Sequence, residues 1–588
     1  MDKLLAYDTE TTGLCPYLGD RMFAYSTCDL DGDVVVRRRD ASPTTFRSKL
    51  RKLWSSGYIM VMHNAKFDME MTLQEDVDIS SDYPFEDTML MAAVLYSHMP
   101  KDLKNLAYTL LGYNGYVDGM DIDAAVVKAA GPAKAYDSVP KTLLDIYQRM
   151  DAERTMLLCA HMLPKVREDA TFFEIYEMEK RVVRVTMEME KRGLLLNAAR
   201  TKKILAELSE KRAHALSILP GNVNPMKPGD VIGLLFHDIG LPVRSLTRKK
   251  GIPATDHTAL LNLYSDYPEC KELEAIVRFR SFDHGISIIN SYLGLRDVSD
   301  VLHPSINTVG AHTGRESCSS PNLQNVQKAD GSEEFSIPAR RCFRPRPGYV
   351  NFHTDFAGIE ARLAIHYSRD PAMLEIMRGC KPDPHSAAAE LFYAEDGMWE
   401  NADAKERKRL RNLSKNGQFC IIYGGGAPNL ARVLGLSLDT AQRAKARYGR
   451  AFPGMLDLNR RIARQARMDG FILTEFGNKI RVDAQKAYVA VNYLIQGTAA
   501  GILKRAQIRV ADFLKKRTHD SWKLLLPIHD ELIIECPRRY LSRSRGILRK
   551  IREMMTDFPQ FSVPMDIEVK CSTHSWADME EVNLDNRP

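Results

Sequence analysis

The sequence lacks several features that mark specialised classes of protein. Its ten cysteines are scattered and none forms a CxxC pair. Neither a disulfide framework nor a zinc site is therefore predicted, and a reducing compartment is expected. No apolar run approaches the roughly 20 residues that span a bilayer, and the N-terminus has no signal-peptide or transit-peptide pattern. We therefore expect no membrane association and a cytoplasmic location.

The sequence also has little net charge, and it has no internal repeat, low-complexity tract or flexible linker. Its 588 residues include 82 Lys and Arg against 76 Asp and Glu, which gives a net charge of +6. A protein that only coats phosphate backbones would usually be more basic. A near balance suits an enzyme that combines a basic track with carboxylate-rich sites. At about 150 residues per domain, the length predicts roughly four folding units.

The pattern of predicted elements divides the chain into two kinds of structure. Residues 1–160 alternate short apolar strands with helices, which is typical of an α/β domain. From about Thr171 the chain is helical, with long amphipathic helices predicted at Phe172–Arg192 and Ala198–Leu219. From about Val309 strands return around a helical block near 372–470. The predicted fold class is therefore multi-domain, α/β and α+β.

One set of acidic residues follows predicted strands in the first 160 residues. Asp8 and Glu10 are two residues apart on a strand, so they point to one face and repel each other unless a cation such as Mg²⁺ lies between them. Asp68 follows another predicted strand, and Tyr147 and Asp151 stand four apart on one face of a predicted helix. Taken singly, each piece is also typical of a solvated surface or a simple hydrogen bond.

The ordered set of motifs is more specific than its parts. The chain contains, in order, DTETTGL, HNAKFD and YQRMDAERT. This series resembles the proofreading 3′→5′ exonucleases of the DEDD superfamily, in the DEDDy form that has tyrosine. The resemblance implies a ribonuclease H-like exonuclease domain over residues 1–170, whose four carboxylates hold two divalent ions about 4 Å apart across the scissile phosphate. Tyr147 would orient the attacking water, because a neutral phenol is too weakly acidic to act as a base at pH 7.

A second set of acidic residues lies in the C-terminal half. Two apolar runs flank His529, Asp530 and Glu531 and predict a β-hairpin with two acids at its tip, although an acidic turn is also common without a function. Asp355 follows an earlier strand, Tyr349–Thr354. If these strands are neighbours in one sheet, Asp355 and Asp530 converge and can form a two-metal site for nucleotidyl transfer.

A helix between these acids carries an unusual stripe. Arg411, Lys415, Phe419 and Tyr423 recur at every fourth position and therefore share one face. The alternative is an amphipathic core helix, but a core stripe would not begin with two cations in line with two aromatic rings. The stripe suits a nucleoside triphosphate, with its phosphates on the cations and its sugar and base against the rings.

The C-terminal motifs resemble a known family. The chain contains, in order, DFAGIEAR, RNLSKNGQFCIIYG and HDE, which look like motifs A, B and C of family A DNA polymerases, the family of bacterial DNA polymerase I. The flanking pieces TGR, PNLQN and QGTAA agree. The resemblance covers nearly the whole chain and implies a right hand, with the thumb at 171–310, the palm at 311–371 and 485–588, and the fingers at 372–484.

The resemblance also implies a role for each residue that matches a family motif. Asp355 and Asp530 match the metal-binding catalytic aspartates, with Glu531 beside them as a further catalytic residue. Glu360 matches the steric gate that crowds a ribose 2′-hydroxyl, and Lys415 is the expected acid for pyrophosphate. The expected dNTP contacts are Glu360, His385, Arg411, Lys415, Phe419 and Tyr423. The expected primer-template contacts, on the minor-groove side where every correct pair presents acceptors, are Arg315, Asn492, Gln496 and His529.

These assignments predict a template-directed DNA polymerase that proofreads its own product. The expected cofactor is Mg²⁺, two ions at each site, with Mn²⁺ as a substitute. The expected partners are primer-template DNA, dNTPs and replisome proteins such as a helicase-primase, and the chain is expected to be a monomer. No stretch of the thumb is left over for a thioredoxin-binding insertion. Because the exonuclease motifs begin at the start of the sequence, we expect no 5′-nuclease domain of the kind that many cellular relatives have, and this favours a phage-like replicase in a host cytoplasm over a repair polymerase.

Three positions depart from the bacterial pattern. Phe356, Ala357 and Gly358 replace Tyr-Ser-Gln in motif A, where glycine is similar to phage-type members. Gly501 stands where an Asp often follows the Gly-Thr-Ala-Ala run, and Pro527 replaces a Gln before the HDE tip. The last two changes bear on details of primer contact and not on the reaction.

Three other functions are weighed against this prediction. A single-subunit RNA polymerase shares the palm, but Glu360 as gate, the HDE tip and the attached exonuclease argue against it. A non-enzymatic single-strand binder would need none of the clustered carboxylates. An exonuclease with a degenerate polymerase would have lost a catalytic position, and none is lost here.

Overall fold

The computed structural model describes residues 3–39, 42–80, 82–247, 249–326, 337–379, 383–519 and 521–585. Among the helices of the described ranges, none has the length and apolar character needed to cross a membrane.

Residues 4–168 form an α/β unit built on a five-stranded sheet. The strands of this sheet are β1 (Leu4–Thr11), β2 (Met22–Cys28), β3 (Val34–Arg38), β4 (Ile59–Met62) and β5 (Phe85–Asp87). A separate two-stranded sheet contains β6 (Tyr116–Val117) and β7 (Met120–Asp121). The helices of the unit are α1 (Pro43–Trp54), α2 (Ala65–Leu73), α3 (Thr88–Leu95), α4 (Leu103–Leu111), α5 (Ile122–Ala130) and α6 (Lys141–Glu168). The strand order is β3-β2-β1-β4-β5, and α6 packs across β1, β2 and β3.

Strand β1 is longer than the predicted run that ends at Tyr7. Residues 8–11 continue the antiparallel pairing with β2, so Asp8 and Glu10 lie inside the strand. Their side chains therefore project from one face of a central strand, and this face is the one that α6 covers.

Residues 170–302 are mainly helical. The elements are α7 (Ala170–Arg192), β8 (Leu194–Leu195), α8 (Ala198–Ile218), α9 (Pro228–Ile232), α10 (His257–Asp266), α11 (Lys271–Gly294) and β9 (Val301–Leu302). The predicted helices at α7 and α8 are present, and the side chains of Asp169 and Asn197 cap their N-termini. The sequence did not predict α11, because its first half is buried in one core, at Leu273, and its second half in another, at Ile289.

The C-terminal half begins with strands, continues through a helical block and ends in a second sheet. Its strands are β10 (Ser305–Asn307), β11 (Ser317–Ser319), β12 (Tyr349–Phe356), β13 (Phe471–Leu473), β14 (Lys479–Arg481), β15 (Lys523–Ile528), β16 (Glu531–Pro537), β17 (Ile567–Ser572) and β18 (Met579–Glu581). Its first helices are α12 (Ile359–Ser368), α13 (Pro371–Met377), α14 (Pro384–Phe392), α15 (Ala404–Ile422) and α16 (Ala427–Leu434). The others are α17 (Leu438–Ala451), α18 (Pro453–Asp469), α19 (Ala490–Arg517) and α20 (Ser544–Thr556).

The second sheet places two of the predicted acids side by side. Its order is β15-β16-β12-β17-β18, antiparallel throughout, so β12 is a direct neighbour of β16. One detail differs from the prediction, since Glu531 is the first residue of β16 and not part of the hairpin tip. Only His529 and Asp530 lie in the turn, because Glu531 already pairs with Asp355 and Ile528.

Buried ion pairs join the N-terminal unit and the C-terminal half to helix α7. The ammonium group of Lys66, on α2, bonds to Glu190, on α7, and to the carbonyl oxygen of Ile306. On the other side, Lys504 on α19 lies 2.6 Å from Glu179 on α7. An unpaired buried charge is strongly destabilising, so these pairs fix how the parts dock.

Candidate active sites

The predicted exonuclease carboxylates converge beside β1. Asp68, Asp151 and Glu10 are all buried, with 3%, 5% and 7% of their surfaces exposed. Burial, followed by repulsion from Asp68, Asp151 and Glu10, raises the pKa of Asp8 well above its usual value. Burial and the Asp151 charge raise the pKa of Glu10 to about 8. Elements far apart in the chain therefore bring four acids into one small, poorly solvated space.

Asp68 is held in place by the strand that carries the other two acids. The backbone N–H and the side-chain hydroxyl of Thr9 both donate to its Oδ1, at 3.1 and 2.6 Å. Burial nevertheless raises the pKa of Asp68 to about 8, although the Thr9 bonds lower it. Thr9 alternates with Asp8 and Glu10 along β1, so one strand both supplies two acids and positions a third.

Two basic residues that the sequence analysis missed contact Asp151 and Tyr147. The ammonium group of Lys104 lies 2.7 Å from the Tyr147 hydroxyl and 3.3 Å from Asp151 Oδ2. The guanidinium group of Arg154, 1% exposed, donates to Asp151 Oδ1 at 2.6 Å and forms a bidentate pair with Asp123. Arg154 follows Asp151 by three residues inside the quoted motif, which is a signal that could have found it. Lys104 has no such signal.

The side chains of this site are of the chemical type that binds a hard divalent cation. Carboxylate oxygens are the ligands that Mg²⁺ prefers, and a cation would relieve the repulsion that raises the pKa values of Asp8 and Glu10. As they stand, no three His, Cys, Asp or Glu side chains within the described ranges are arranged to hold one ion. Lys104 contacts one oxygen of Asp151 and Arg154 the other, so a metal ion bound by Asp151 would share its carboxylate with these cations.

The two predicted polymerase aspartates meet at the end of the second sheet. Asp355 lies in β12, and the next N–H, of Phe356, donates to the carbonyl oxygen of Asp530 at 3.1 Å. Burial raises the pKa of Asp530, while the charges of His529 and Arg315 lower it. The turn that carries Asp530 is therefore fixed directly to the strand that carries Asp355.

Glu531 pairs with Asp355 across β16 and β12 and bonds to a buried histidine. Its carboxylate is 2.6 Å from Nδ1 of His353, a buried residue two positions before Asp355. The other ring nitrogen of His353 lies 3.2 Å from the Ser572 hydroxyl. Sequence reasoning missed His353, because the contact joins residues 178 positions apart. This arrangement makes Glu531 a clamp between β12 and β16.

Glu360 lies at the centre of a small hydrogen-bonded group. It is in the first turn of α12, which begins after Gly358 in a left-handed conformation (φ 64°) that favours glycine. The guanidinium group of Arg315 bonds to one carboxylate oxygen of Glu360, and the Tyr423 hydroxyl donates to the other at 2.8 Å. Burial, followed by the charge of Glu360, raises the pKa of Tyr423, so its hydroxyl keeps its proton.

The predicted stripe lies along α15, and Tyr423 is the first residue beyond it. The rings of Phe419 and Tyr423 are nearly parallel, with centroids 5.9 Å apart. Arg411 is paired with Asp383 at 3.0 Å. Burial would raise the pKa of Asp383, but the hydrogen bonds from Arg411, Ser386 and the His385 N–H, with the Arg411 charge, together outweigh it and the pKa falls to about 2. Lys415 is exposed between the rings and this pair.

The remaining predicted contacts lie on separate elements. His385, on α14, has Nδ1 2.5 Å from the Gln418 side-chain oxygen. Asn492 and Gln496 follow each other at one turn's spacing on α19, and within the described residues Oδ1 of Asn492 is buried without a hydrogen-bond partner. His529 is exposed and takes a positive φ of 56° in the turn before Asp530.

One departure from the bacterial pattern, Gly501, has a local explanation. A Cβ atom at Gly501 would come within 2.6 Å of the Phe476 ring, so this ring occupies the space that a side chain there would need. The guanidinium group of Arg505 lies 4.0 Å from the centre of the same ring. At Pro527, the carbonyl oxygen accepts a 3.1 Å hydrogen bond from the side chain of Gln324, in the PNLQN segment.

Comparison with known proteins gives two family matches. The description "DNA polymerase family A" matches residues 196–578, and the description "3'-5' exonuclease" matches residues 2–167. Among solved structures, the polymerase domain of Pol1 from M. smegmatis, in complex with DNA primer-template and dNTP, has a TM-score of 0.79. It covers 98% of this chain and 96% of its own chain at 22% identity, which shows a shared fold.

Curated relatives include bacterial and phage polymerases. DNA polymerase I of Synechocystis sp. is 25% identical and covers 87% of this chain, which spans only 52% of that protein. DNA polymerase I of Aquifex aeolicus is 28% identical and covers 96% of this chain and 94% of itself. The DNA polymerase of Mycobacterium phage D29 is 24% identical, with 94% and 90% covered. The chain therefore belongs to DNA polymerase family A, with a 3′-5′ exonuclease domain before the polymerase domain.

Proposed function

We propose that this protein is a template-directed DNA polymerase that extends a primer 3′ end and removes mispaired ends with its own 3′→5′ exonuclease. The observation that carries the proposal is the meeting of Asp355 and Asp530 beside Glu360, on a chain whose N-terminal domain gathers a separate set of acids. The proposed right hand has its thumb at 171–310, its palm at 311–371 and 485–588, and its fingers at 372–484.

In the proposed polymerase site, Asp355 and Asp530 would hold two Mg²⁺ ions, which supply a Lewis acid at the α-phosphate. The stripe on α15 binds the dNTP, with Lys415 at the phosphates, where it donates a proton to the leaving pyrophosphate. Glu360, held at both oxygens, forms the wall that a ribose 2′-hydroxyl would strike. Glu531 contributes by fixing β16 against β12.

The remaining dNTP contacts would come from Arg411, His385, Phe419 and Tyr423. Arg411 and His385 lie beside the phosphates, and the stacked pair Phe419 and Tyr423 lies beside the sugar and base. Arg315, Asn492, Gln496 and His529 would contact the primer-template end.

In the proposed exonuclease site, Asp8, Glu10, Asp68 and Asp151 would hold two Mg²⁺ ions at the scissile phosphate. The Tyr147 hydroxyl accepts a hydrogen bond from Lys104, so its own proton is directed to another acceptor. Tyr147 thereby orients the attacking water. Arg154 keeps Asp151 at the site by bonding to one of its oxygens.

We further propose that the protein replicates a phage genome. Two mycobacteriophage DNA polymerases match it over 90% and 88% of their own lengths. In this role it would act in the host cytoplasm as a monomer on primer-template DNA, beside a helicase-primase and without thioredoxin. Repair synthesis remains the alternative, since bacterial DNA polymerase I proteins are also relatives.

Separation-of-function variants test the assignment of the two sites. Because the acids lie in different domains, Asp8→Ala with Glu10→Ala should abolish removal of a mismatched 3′ nucleotide and leave extension of a matched primer nearly intact. Asp530→Ala should have the opposite effect. If the first variant still removes the mismatched nucleotide, the exonuclease ligands are assigned wrongly.

A further inference from the structure

A basic cleft lies at the edge of the N-terminal sheet, outside the proposed exonuclease site. It has a volume of about 390 Å³, between β3, α1 and the first turns of α6, which is within the range of small-ligand pockets. Its lining includes five cationic side chains and one carboxylate. The cationic residues are Arg37, Arg38, Lys49, Lys141 and Arg149, and the acid is Asp145.

Within the described residues, four of these five cations make no ion pair with a protein carboxylate. Arg38 is paired with Asp145 at 2.6 Å, and Arg149 donates to the Val34 carbonyl oxygen at 3.2 Å. Lys49 and Lys141 are exposed, and within the described residues their ammonium groups make no ion pair. The cleft therefore presents uncompensated positive charge, which suits a phosphate group.

The cleft is close to the exonuclease acids and on the same row of the sheet. Glu10 pairs with Ala24 across β1 and β2, and Ala24 pairs with Arg38 across β2 and β3. These three residues therefore share one face, with Glu10 and Arg38 two strands, or about 10 Å, apart.

The cleft and the contacts with the polymerase half lie on opposite sides of the exonuclease acids. The polymerase half touches the N-terminal unit on the opposite side, through α2, at Lys66, and through Ser97 after α3, whose carbonyl oxygen is 3.1 Å from Nδ1 of His312. Strand β3 is the far edge of the sheet. If a DNA strand enters from the polymerase half, the acids lie nearer to its entry than the cleft does, and the cleft is then beyond the point of cutting.

We propose that this cleft is a product site, which takes the deoxynucleoside 5′-monophosphate that the exonuclease releases. The inference rests on the proposed exonuclease function. In that reaction water adds to phosphorus and the bond from phosphorus to the penultimate 3′-oxygen breaks. This oxygen gains a proton, and the released nucleotide keeps the phosphate. The product has a phosphate monoester of about −1.5 to −2 charge at pH 7, whereas each phosphodiester of the remaining strand has one charge.

Equilibrium binding tests the site without requiring catalysis. The full-length Asp8→Ala, Glu10→Ala variant, in EDTA, is titrated with thymidine 5′-monophosphate, inorganic phosphate and a short oligo(dT) in a calorimeter. Adding Lys49→Gln with Lys141→Gln should weaken binding of the nucleotide and of phosphate by about tenfold. The matched control is Lys52→Gln, at an exposed position on α1 outside the cleft. This change should leave the affinities for the nucleotide and for phosphate unchanged.

The kinetic counterpart is product inhibition of 3′ degradation by the nucleotide. The inhibition constant should rise by about tenfold in the Lys49, Lys141 double variant, while the KM for the oligonucleotide stays the same. An equal rise in KM, or equal loss of oligo(dT) binding, would show that the cleft holds the DNA strand and overturn the product assignment. The product assignment would also be overturned if the nucleotide does not bind, or if its affinity is the same with and without the two lysine substitutions. If instead the proposed exonuclease activity is wrong, the unmodified protein will bind the nucleotide but will not shorten a primer.

Discussion

The hydrogen bond between Tyr423 and Glu360 makes a sharp prediction about sugar selection. Glu360 can reject a ribose only if its carboxylate stays in place, and two bonds hold it there, from Arg315 and from the Tyr423 hydroxyl. Tyr423→Phe removes one of these bonds and keeps the ring that stacks on Phe419. The variant should therefore make the Glu360 carboxylate more mobile without creating a cavity.

The size of the effect follows from the bond that is lost. A hydrogen bond to a charged group contributes about 1.5–3 kcal/mol. The lower end applies because the Glu360 side chain is 27% exposed and keeps its bond to Arg315. About 1.5 kcal/mol corresponds to about tenfold. The preference for a dNTP over the matching rNTP should thus fall by about tenfold.

Single-nucleotide insertion kinetics measure this preference as a ratio of two kcat/KM values. Tyr488→Phe, at a tyrosine that is 60% exposed, is the matched control and should leave the ratio unchanged. In a Glu360→Ala background, Tyr423→Phe should have no further effect, because the bond is already absent. A ratio within about twofold of the parent in Tyr423→Phe, or an additive loss in the double variant, would refute the reasoning.

Three more predictions concern the metal, the sugar 3′ position and the grip on DNA. Glu10 and Asp68 have pKa values raised to about 8, so the folded chain keeps protons that the unfolded chain releases near its ordinary pKa of about 4. Stability in EDTA should therefore fall as the pH rises from about 5 to about 8, and Mg²⁺ should restore it; a melting temperature that rises with pH in EDTA would contradict this. Phe419 has no hydroxyl, and the family resemblance implies that the protein discriminates against dideoxynucleotides and that Phe419→Tyr relaxes this. Equal use of both substrates by the parent would contradict it. Product lengths in a single binding event, with a heparin trap, should be short at physiological salt, fall further as salt rises and not change with thioredoxin; products of many hundreds of nucleotides would show that the thumb is misread.

The sequence predicted what depends on local periodicity. The DxE pair lies on a strand, the Arg-Lys-Phe stripe lies on α15, and helices α7 and α8 begin and end near their caps. For Asp355 and Asp530 only a condition could be stated from the sequence, that their strands be neighbours in one sheet, and the structure meets it.

Contacts between side chains far apart in the sequence could not be predicted from local periodicity. Nothing in the periodicity shows that Lys104 reaches Tyr147 or that His353 holds Glu531, because side chains far apart in sequence meet only after the chain folds. Helix α11 was missed because it is buried in two cores and lacks one polar face. The placement of Glu531 at the turn was wrong because antiparallel pairing continues one residue further.

The central claim is that one chain both extends and corrects a primer. The direct test is a 5′-labelled primer-template with a mismatched 3′ end, incubated with the protein and Mg²⁺, with and without dNTPs and under a heparin trap. The account predicts shortening of the primer without dNTPs, excision followed by full extension with them, and neither in EDTA. A primer that is shortened but never extended with dNTPs, or extended with its mismatch intact, would contradict it.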